Sequence, residues 1–214
     1  MNKWLLICSY SVDTPYEAEA MKLKATLVKH KVPHKFYPYE SLGNWALNCE
    51  SSGKTIIRAL KENDCNIVSL DADATVHAYP SLFDTFDYDL GFYKRWHTKK
   101  QIEQTGRVYH WDTGTMFFRN RPEIIKILEE QQKLYTAFSE TGVREEPDVV
   151  WTLESFERLI SGQKELGITV GELPVTYSYI FDTKQPEEVK YKDEAVIVHH
   201  QKSRQHKAVI NGQA

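Results

Sequence analysis

The sequence is poor in several things, and each shortage removes a class of protein. It has three cysteines, Cys8, Cys49 and Cys65, an odd and scattered set. A disulfide scaffold is therefore excluded, and reduced thiols in a cytosolic compartment are expected. It has no apolar run of the roughly 18 residues that a membrane-spanning helix needs, and the Trp4–Cys8 run is too short for a signal core. We expect no transmembrane segment and a cytoplasmic protein. It also lacks a basic excess: 27 bases stand against 30 acids, for a net charge of −3. Nucleic acid is a poor partner for such a chain. Repeats, low-complexity tracts and a linker are absent too, so 1–214 reads as a single domain. Ser52-Gly53-Lys54-Thr55 imitates the end of a P-loop, but Asn48 stands where the first glycine must be, which excludes that motif.

What is present alternates. Lys3 to Ser9, His34 to Tyr39 and Cys65 to Leu70 are apolar or β-like runs that predict strands. Between them, Thr14-Pro15-Tyr16-Glu17 signals a helix start with a capping box. Tyr16, Ala20, Leu23 and Leu27 then follow at helical spacing. Ser41 to Ser52 reads as a polar loop, and Gly53 to Asn63 as a second helix with Ile56, Ile57 and Leu60 inward. A β-α-β-(loop)-α-β order predicts a mostly parallel sheet with helices on its faces, and ligands beyond the carboxyl ends of its strands. The second half is less regular. Strands are expected at Tyr88–Lys94, Gly114–Arg119, Ile168–Leu173, Thr176–Phe181 and Ala195–His199. Helices are expected over Arg121–Phe138 and from an Asp148 cap to Ile160.

At the carboxyl end of the third strand stand Asp71-Ala72-Asp73. Two carboxylates this close are costly unless a cation neutralises them. Hard oxygen ligands suit Mn²⁺ or Mg²⁺. A turn that merely closes the strand is the plain alternative. A third use is nucleophilic: Asp71-Ala72-Asp73-Ala74-Thr75-Val76 resembles the first motif of haloacid-dehalogenase-like phosphatases, in which Asp71 would accept a phosphoryl group. That motif normally opens its domain, whereas about sixty residues of α/β pattern precede it here. The late acidic pair of that family is also reduced to Asp182. His199-His200 closes the apolar run from Ala195, and either imidazole could complete a metal site. Tyr93-Lys94-Arg95-Trp96-His97 is an aromatic and basic cluster that suits a donor site, an acceptor site or an ordinary surface.

The order of these pieces resembles the nucleotide-sugar glycosyltransferases of the GT-A fold, along nearly the whole chain. The resemblance rests on the strand ending Ser9-Tyr10, on Asn48, Lys54 and Leu60, and on Leu70-Asp71-Ala72-Asp73-Ala74. It continues through Trp111-Asp112-Thr113-Gly114-Thr115-Met116-Phe117-Phe118, Glu146-Pro147-Asp148, Leu173-Pro174, and Val198-His199-His200 with Ser203, Arg204 and Lys207. Asp112 stands where that family often has Asn, and Val149 where some members have Gln. The resemblance implies an α/β, Rossmann-like, mixed and mostly parallel sheet flanked by helices. It implies a nucleotide-binding part to about residue 75 and a sugar and acceptor part beyond. It also implies a soluble, metal-dependent enzyme of viral or bacterial type that moves a sugar from a UDP-sugar to a glycan or other hydroxyl acceptor. If the source is viral, the location would be the host cytoplasm.

The resemblance assigns Asp71, Asp73 and His199 or His200 to Mn²⁺ or Mg²⁺. Ser9, Tyr10, Lys54, Asp71 and Ala72 would contact the nucleotide. Trp111, Thr113 and Gly114 would lie beside the donor sugar, and Ser203, Arg204 and Lys207 on the diphosphate. Asp148 and Asp112 are the candidate catalytic carboxylates. The competing expectations are the phosphohydrolase with Asp71 as nucleophile and a nucleotide-sugar or glycan-binding module without turnover.

Overall fold

A computed structural model describes residues 3–141 and 166–210 of the 214-residue chain. Strand β1 (Trp4–Val12) is followed by helix α1 (Pro15–Lys29), β2 (His34–Glu40), helix α2 (Trp45–Glu62) and β3 (Asn66–Leu70). Then come β4 (Ala74–Val76), β5 (Leu90–Trp96), α3 (Lys99–Thr105), β6 (Tyr109–Phe118) and α4 (Pro122–Thr141). The last part holds β7 (Val170–Glu172), β8 (Tyr179–Ile180), α5 (Pro186–Val189), β9 (Ile197–His199) and α6 (Ser203–Ile210).

Six strands form one sheet in the order β2-β1-β3-β6-β5-β7. β6 runs against both of its neighbours, and the other pairings are parallel. This is the mixed, mostly parallel sheet expected from the alternation. Apolar layers lie on both faces. Leu6, Cys8, Val68 and Phe117 pack with Ala20, Leu23 and Leu27 of α1 on one side. Ile7, Ile67 and Phe118 pack with Ile56 and Leu60 of α2 and Ile124, Ile127 and Leu128 of α4 on the other. Burial on both faces is why β1 and β3 read as continuous apolar runs. Each fully buried aliphatic side chain contributes about 1.5–3 kcal/mol. A second sheet, β4-β9-β8, lies beside the first.

Local signals set most boundaries. Thr14 caps α1 by accepting from the Tyr16 N–H, with Pro15 in the first turn. The expected capping box is displaced by one residue, because Glu17 accepts from the Asp13 N–H at 3.0 Å. Asp13 takes a left-handed φ of 56°, which turns its N–H toward that carboxylate. α2 begins eight residues earlier than the sequence suggested. Asn44 accepts from the Leu47 N–H and serves as the cap, so most of the expected polar loop is helix. The strand expected over Thr176–Phe181 is instead a 3-10 turn, Val175–Tyr177, followed by the short β8. Pro174 precedes that turn, and the Tyr177 N–H closes on its carbonyl. The helix expected after Asp148 lies outside the described residues. No described helix is long and apolar enough to cross a membrane.

Candidate metal and donor site

Asp71 and Asp73 follow β3 at its carboxyl end, and two different pairings build a site around them. In the first, β6 lies antiparallel to β3, with Thr115 opposite Leu70. The Asp71 N–H donates to the Gly114 carbonyl at 3.0 Å. The β5–β6 ladder breaks at this level: Phe92 faces Met116, but the next residue, Tyr93, faces Asp112. Thr113, Gly114 and Thr115 are therefore extra residues on β6. Such bulges bend a strand and re-aim its side chains. Here the bend lays the Gly114 backbone against the aspartate turn.

The second pairing brings in the far end of the chain. β4 starts directly after Asp73 and pairs antiparallel with β9, setting Ala74 opposite His199. Alternation along the chain then separates the two histidines. His199 turns inward and is 2% exposed. Its Nε2 bonds the Thr115 hydroxyl at 2.8 Å. Its Nδ1 is buried with no hydrogen-bond partner. His200 turns away, to the Thr75 hydroxyl at 3.0 Å and the Phe181 ring. Strand register thus sets the His199 ring beside the aspartates and turns the His200 ring away, while the His200 N–H donates to the Asp73 carbonyl at 3.2 Å.

Among the described residues, one group of acidic, His or Cys side chains has the spacing of a metal site: Asp71, Asp73 and His199. One ligand atom from each lies within 4.8 Å of the others. Asp73 is buried, and its Oδ2 accepts the Lys202 N–H at 2.6 Å. That N–H is aimed by Gln201, whose φ of 52° turns the chain in the left-handed region. Gly114 completes the packing. A Cβ there would stand 2.8 Å from His199 Cε1 and 2.9 Å from Nδ1, so a larger residue would displace the ring. Two carboxylates and an unpartnered buried imidazole nitrogen fit a divalent cation by donor chemistry. Burial pushes the His199 imidazole below its ordinary range, although Asp112 and Asp73 pull it upward.

The other expected residues are distributed as follows. Ser9 and Tyr10 lie near the end of β1, beside β2. Tyr10 is buried, its ring edge-on to Phe36. Ala72 is buried between the two aspartates. Lys54 is exposed in the middle of α2, not at a helix start. Trp111 packs edge-on against Phe92 and Tyr109, and its indole nitrogen is buried without a partner. Thr113 sits in the bulge. Ser203, Arg204 and Lys207 lie on α6, directly after the Lys202 contact. Asp148 lies outside the described residues.

Asp112 differs from the expectation of a reactive carboxylate. Its Oδ2 accepts from Arg95 Nε at 3.0 Å and Nη2 at 2.6 Å, and its Oδ1 accepts the Gly114 N–H at 2.9 Å. Arg95 is buried and also donates through Nη1 to both oxygens of Glu188, at 2.7 Å each, and through Nη2 to the Ser178 carbonyl. Tyr93 and Thr183 donate to Glu188 as well. Burial pushes the Asp112 carboxyl up. Arg95, with His199 and the Gly114 N–H, more than offsets this and holds it below the usual carboxylate range. Arg95 and Glu188 carry this centre, and the sequence pointed to neither in that role. Arg95 falls in an aromatic and basic cluster that could be surface, and Glu188 lies among ordinary charged residues.

A cavity of about 670 Å³ lies elsewhere, at the amino edge of the sheet near Lys3, Trp4, Pro33 and Asp84. It holds none of the residues above.

No protein-family model matches the chain, and no curated protein matches it significantly in sequence. Solved structures do match in shape. A glycosyltransferase involved in the glycosylation of the major capsid of PBCV-1 aligns with a TM-score of 0.62 at 12% identity, covering 98% of this chain and 99% of that one. The galactosyltransferase LgtC, in complex with donor and acceptor sugar analogues, gives 0.51 at 11% identity over 92% and 87%. The glycosyltransferase GlyE of Streptococcus pneumoniae TIGR4 gives 0.52 at 14% identity, and there the chain covers 54% of the longer protein. The chain has the GT-A-type glycosyltransferase fold, with its acidic turn at the carboxyl edge of the sheet.

Proposed function

We propose that the protein is a metal-dependent glycosyltransferase that moves a sugar from a nucleoside-diphosphate sugar, with UDP as the nucleotide, to a glycan or other hydroxyl acceptor. The observation that carries the reading is His199. Its Nδ1 is buried and unpartnered, and its ring offers a nitrogen within 4.8 Å of carboxylate oxygens of Asp71 and Asp73, beyond the carboxyl end of a strand, where open α/β sheets present ligands. Most buried polar side-chain atoms have a hydrogen-bond partner, so a bare nitrogen grouped with two carboxylates is a reason to look for a ligand there.

Asp71, Asp73 and His199 hold Mn²⁺ or Mg²⁺. When bound, that ion supplies Lewis-acid stabilisation of the charge on the departing diphosphate. Thr115 fixes the His199 ring through Nε2, which reserves Nδ1 as the ligand atom. The Lys202 N–H fixes the Asp73 carboxylate. Ser9, Tyr10 and Lys54 position the nucleotide, so residues to about 75 serve the base and ribose. Arg204 and Lys207 would bring positive charge, and Ser203 a hydroxyl, to the diphosphate from α6. Thr113, Gly114 and Trp111 border the sugar. Asp148 is assigned to the acceptor hydroxyl, as base or hydrogen-bond acceptor. Asp112 is reassigned. With its lone pairs taken by Arg95 and Gly114, it positions the bulge and lends negative charge beside His199.

The test is a panel of nucleotide sugars with and without Mn²⁺, read by thermal shift and by nucleotide release. A ligand of the native state raises stability by about 2.7 kcal/mol at a hundredfold excess over Kd. UDP-sugars with Mn²⁺ should raise the melting temperature and release UDP. Release of inorganic phosphate from phosphate esters, dependent on Asp71, would replace this reading with the phosphohydrolase. Metal-dependent UDP binding without turnover would leave a binding module. Neither a shift nor turnover across the panel would end the proposal.

A further inference from the structure

β5 and β6 run on past the last rung that β6 shares with β3 and form a two-stranded ribbon that carries α3 at its end. Register gives the ribbon two different faces. Tyr93, Arg95, His110 and Asp112 occupy one, together with the Glu188 centre. Lys94, Trp96, Tyr109 and Trp111 occupy the other, with Lys94 opposite Trp111 and Trp96 opposite Tyr109.

On that second face three rings stand in a row. Trp96 and Tyr109 lie 5.7 Å apart, and Tyr109 and Trp111 5.9 Å. The Lys94 ammonium sits 4.1 Å from the Tyr109 ring centre, 4.8 Å from Trp96 and 5.8 Å from Trp111. Cross-strand packing explains part of this, since such pairs stabilise a ribbon. It does not explain why Trp96, the outermost ring, remains 52% exposed. The charge is also local. Setting aside the buried and ion-paired Arg95, Lys94, Lys99, Lys100 and Arg107 stand between residues 94 and 111 against Glu103 alone, in a chain whose net charge is −3. Lys99 and Lys100 are exposed on the first turn of α3.

Flat amphipathic rings accept the C–H face of a pyranose, and clustered cations accept carboxylates. We propose that this face of the ribbon is a binding site for an acidic oligosaccharide, the extended part of an acceptor whose end is offered at the Asp71–Asp73–His199 group. The acceptor role rests on the glycosyl-transfer reading. The spacing suits it: Trp111 lies three residues beyond Gly114 and Tyr109 five, or about 10 and 17 Å at the rise of a strand. A short oligosaccharide spans that distance. A membrane surface is the weaker fit, because the exposed large apolar residues here are only Trp96 and Val108.

Trigalacturonate, maltotriose and phosphatidylglycerol vesicles can be titrated into the full chain, followed by tryptophan fluorescence and calorimetry. Trigalacturonate should bind and maltotriose should not. Raising the salt to about 0.5 M should weaken binding several-fold. Trp96→Ala, and separately the Lys99→Glu/Lys100→Glu pair, should each lower the affinity at least tenfold while keeping the thermal shift given by Mn²⁺ and UDP. The charge-reversed pair lies on an exposed helix turn, so it reads out even if the Trp96 variant folds poorly. No binding of trigalacturonate, equal binding of maltotriose, preference for vesicles, or unchanged affinity in the charge-reversed pair would each overturn the proposal. If the wild type binds trigalacturonate but shows no shift with Mn²⁺ and any nucleotide sugar, the donor reading and the acceptor role fall together. A shift with UDP but no saccharide binding sinks this inference alone.

Discussion

Two acidic centres lie within a few residues of each other beside the bulge of β6, and they are opposites. Around Arg95, each carboxylate is answered: Asp112, Glu188 and the Ser178 carbonyl share the guanidinium, and Gly114, Tyr93 and Thr183 donate to the carboxylates as well. Around His199, the account is left open. Asp71 and Asp73 lie beside a buried imidazole whose Nδ1 has no partner. The first centre is finished by the protein alone. The second has a buried nitrogen that no protein group answers, which is where the proposed cation would bind. Acidity alone does not mark a binding site; carboxylates grouped with a buried imidazole nitrogen that lacks a partner make the better candidate.

Three measurements bear on this contrast. The largest effect is expected at the matched centre. Arg95→Met would leave two buried carboxylates without their cation and should cost about 3–5 kcal/mol in urea unfolding. A loss below about 1 kcal/mol would break the contrast. The exposed Lys61–Glu129 pair is the control, and Lys61→Ala should not measurably move the midpoint.

Next is the open centre. Asp71→Asn should lower Mn²⁺ affinity by about a hundredfold, or about 2.7 kcal/mol. In cation-free buffer the same change should leave the unfolding midpoint level or raise it, since it relieves two crowded charges. A large loss of stability without cation would show that Asp71 belongs to the framework.

The smallest effect is in pH. Burial pushes the His110 imidazole below its ordinary value, although Asp112 opposes this. Unfolded, the same ring takes a proton near pH 6.5. As pH falls through that value the unfolded state binds more protons, so stability is full above about pH 7 and declines toward the folded value. One such site contributes a slope of at most about 1.4 kcal/mol per pH unit. Unfolding curves between pH 7.5 and 5 should be shallower in pH for His110→Gln than for the wild type. Equal slopes would remove His110 from the account.

Much of the scaffold could be read from residue order, because the evidence was local and repeated. Apolar runs, a Thr-Pro cap and helical spacing each reported on a few neighbours, and the acidic turn at the end of β3 followed. The site was legible only in part, because half of it is made by partners far apart in the chain. Nothing in Val198-His199-His200 says which ring faces inward; the rung between Ala74 and His199 decides it. Asp112 looked reactive because its neighbours resemble a sugar-binding strand, while the guanidinium that occupies it lies 17 residues earlier on another strand. Glu188 carried no local signal at all. The start of α2 was missed for a smaller reason: Asn44 is an adequate cap inside a stretch whose composition favours loops.

The bond from the Lys202 N–H to Asp73 joins residues 129 positions apart, and His199 belongs to the same closing segment. During synthesis the two aspartates therefore leave the ribosome long before the groups that hold them. At about 5–20 residues per second the wait is roughly 6–25 seconds. Through that interval the acidic turn has neither its imidazole nor its backbone clamp. If the proposed cation binds there, its capture waits until β9 and the turn at Gln201 have closed on the aspartates, and the ion then stabilises only chains in which that pairing is made.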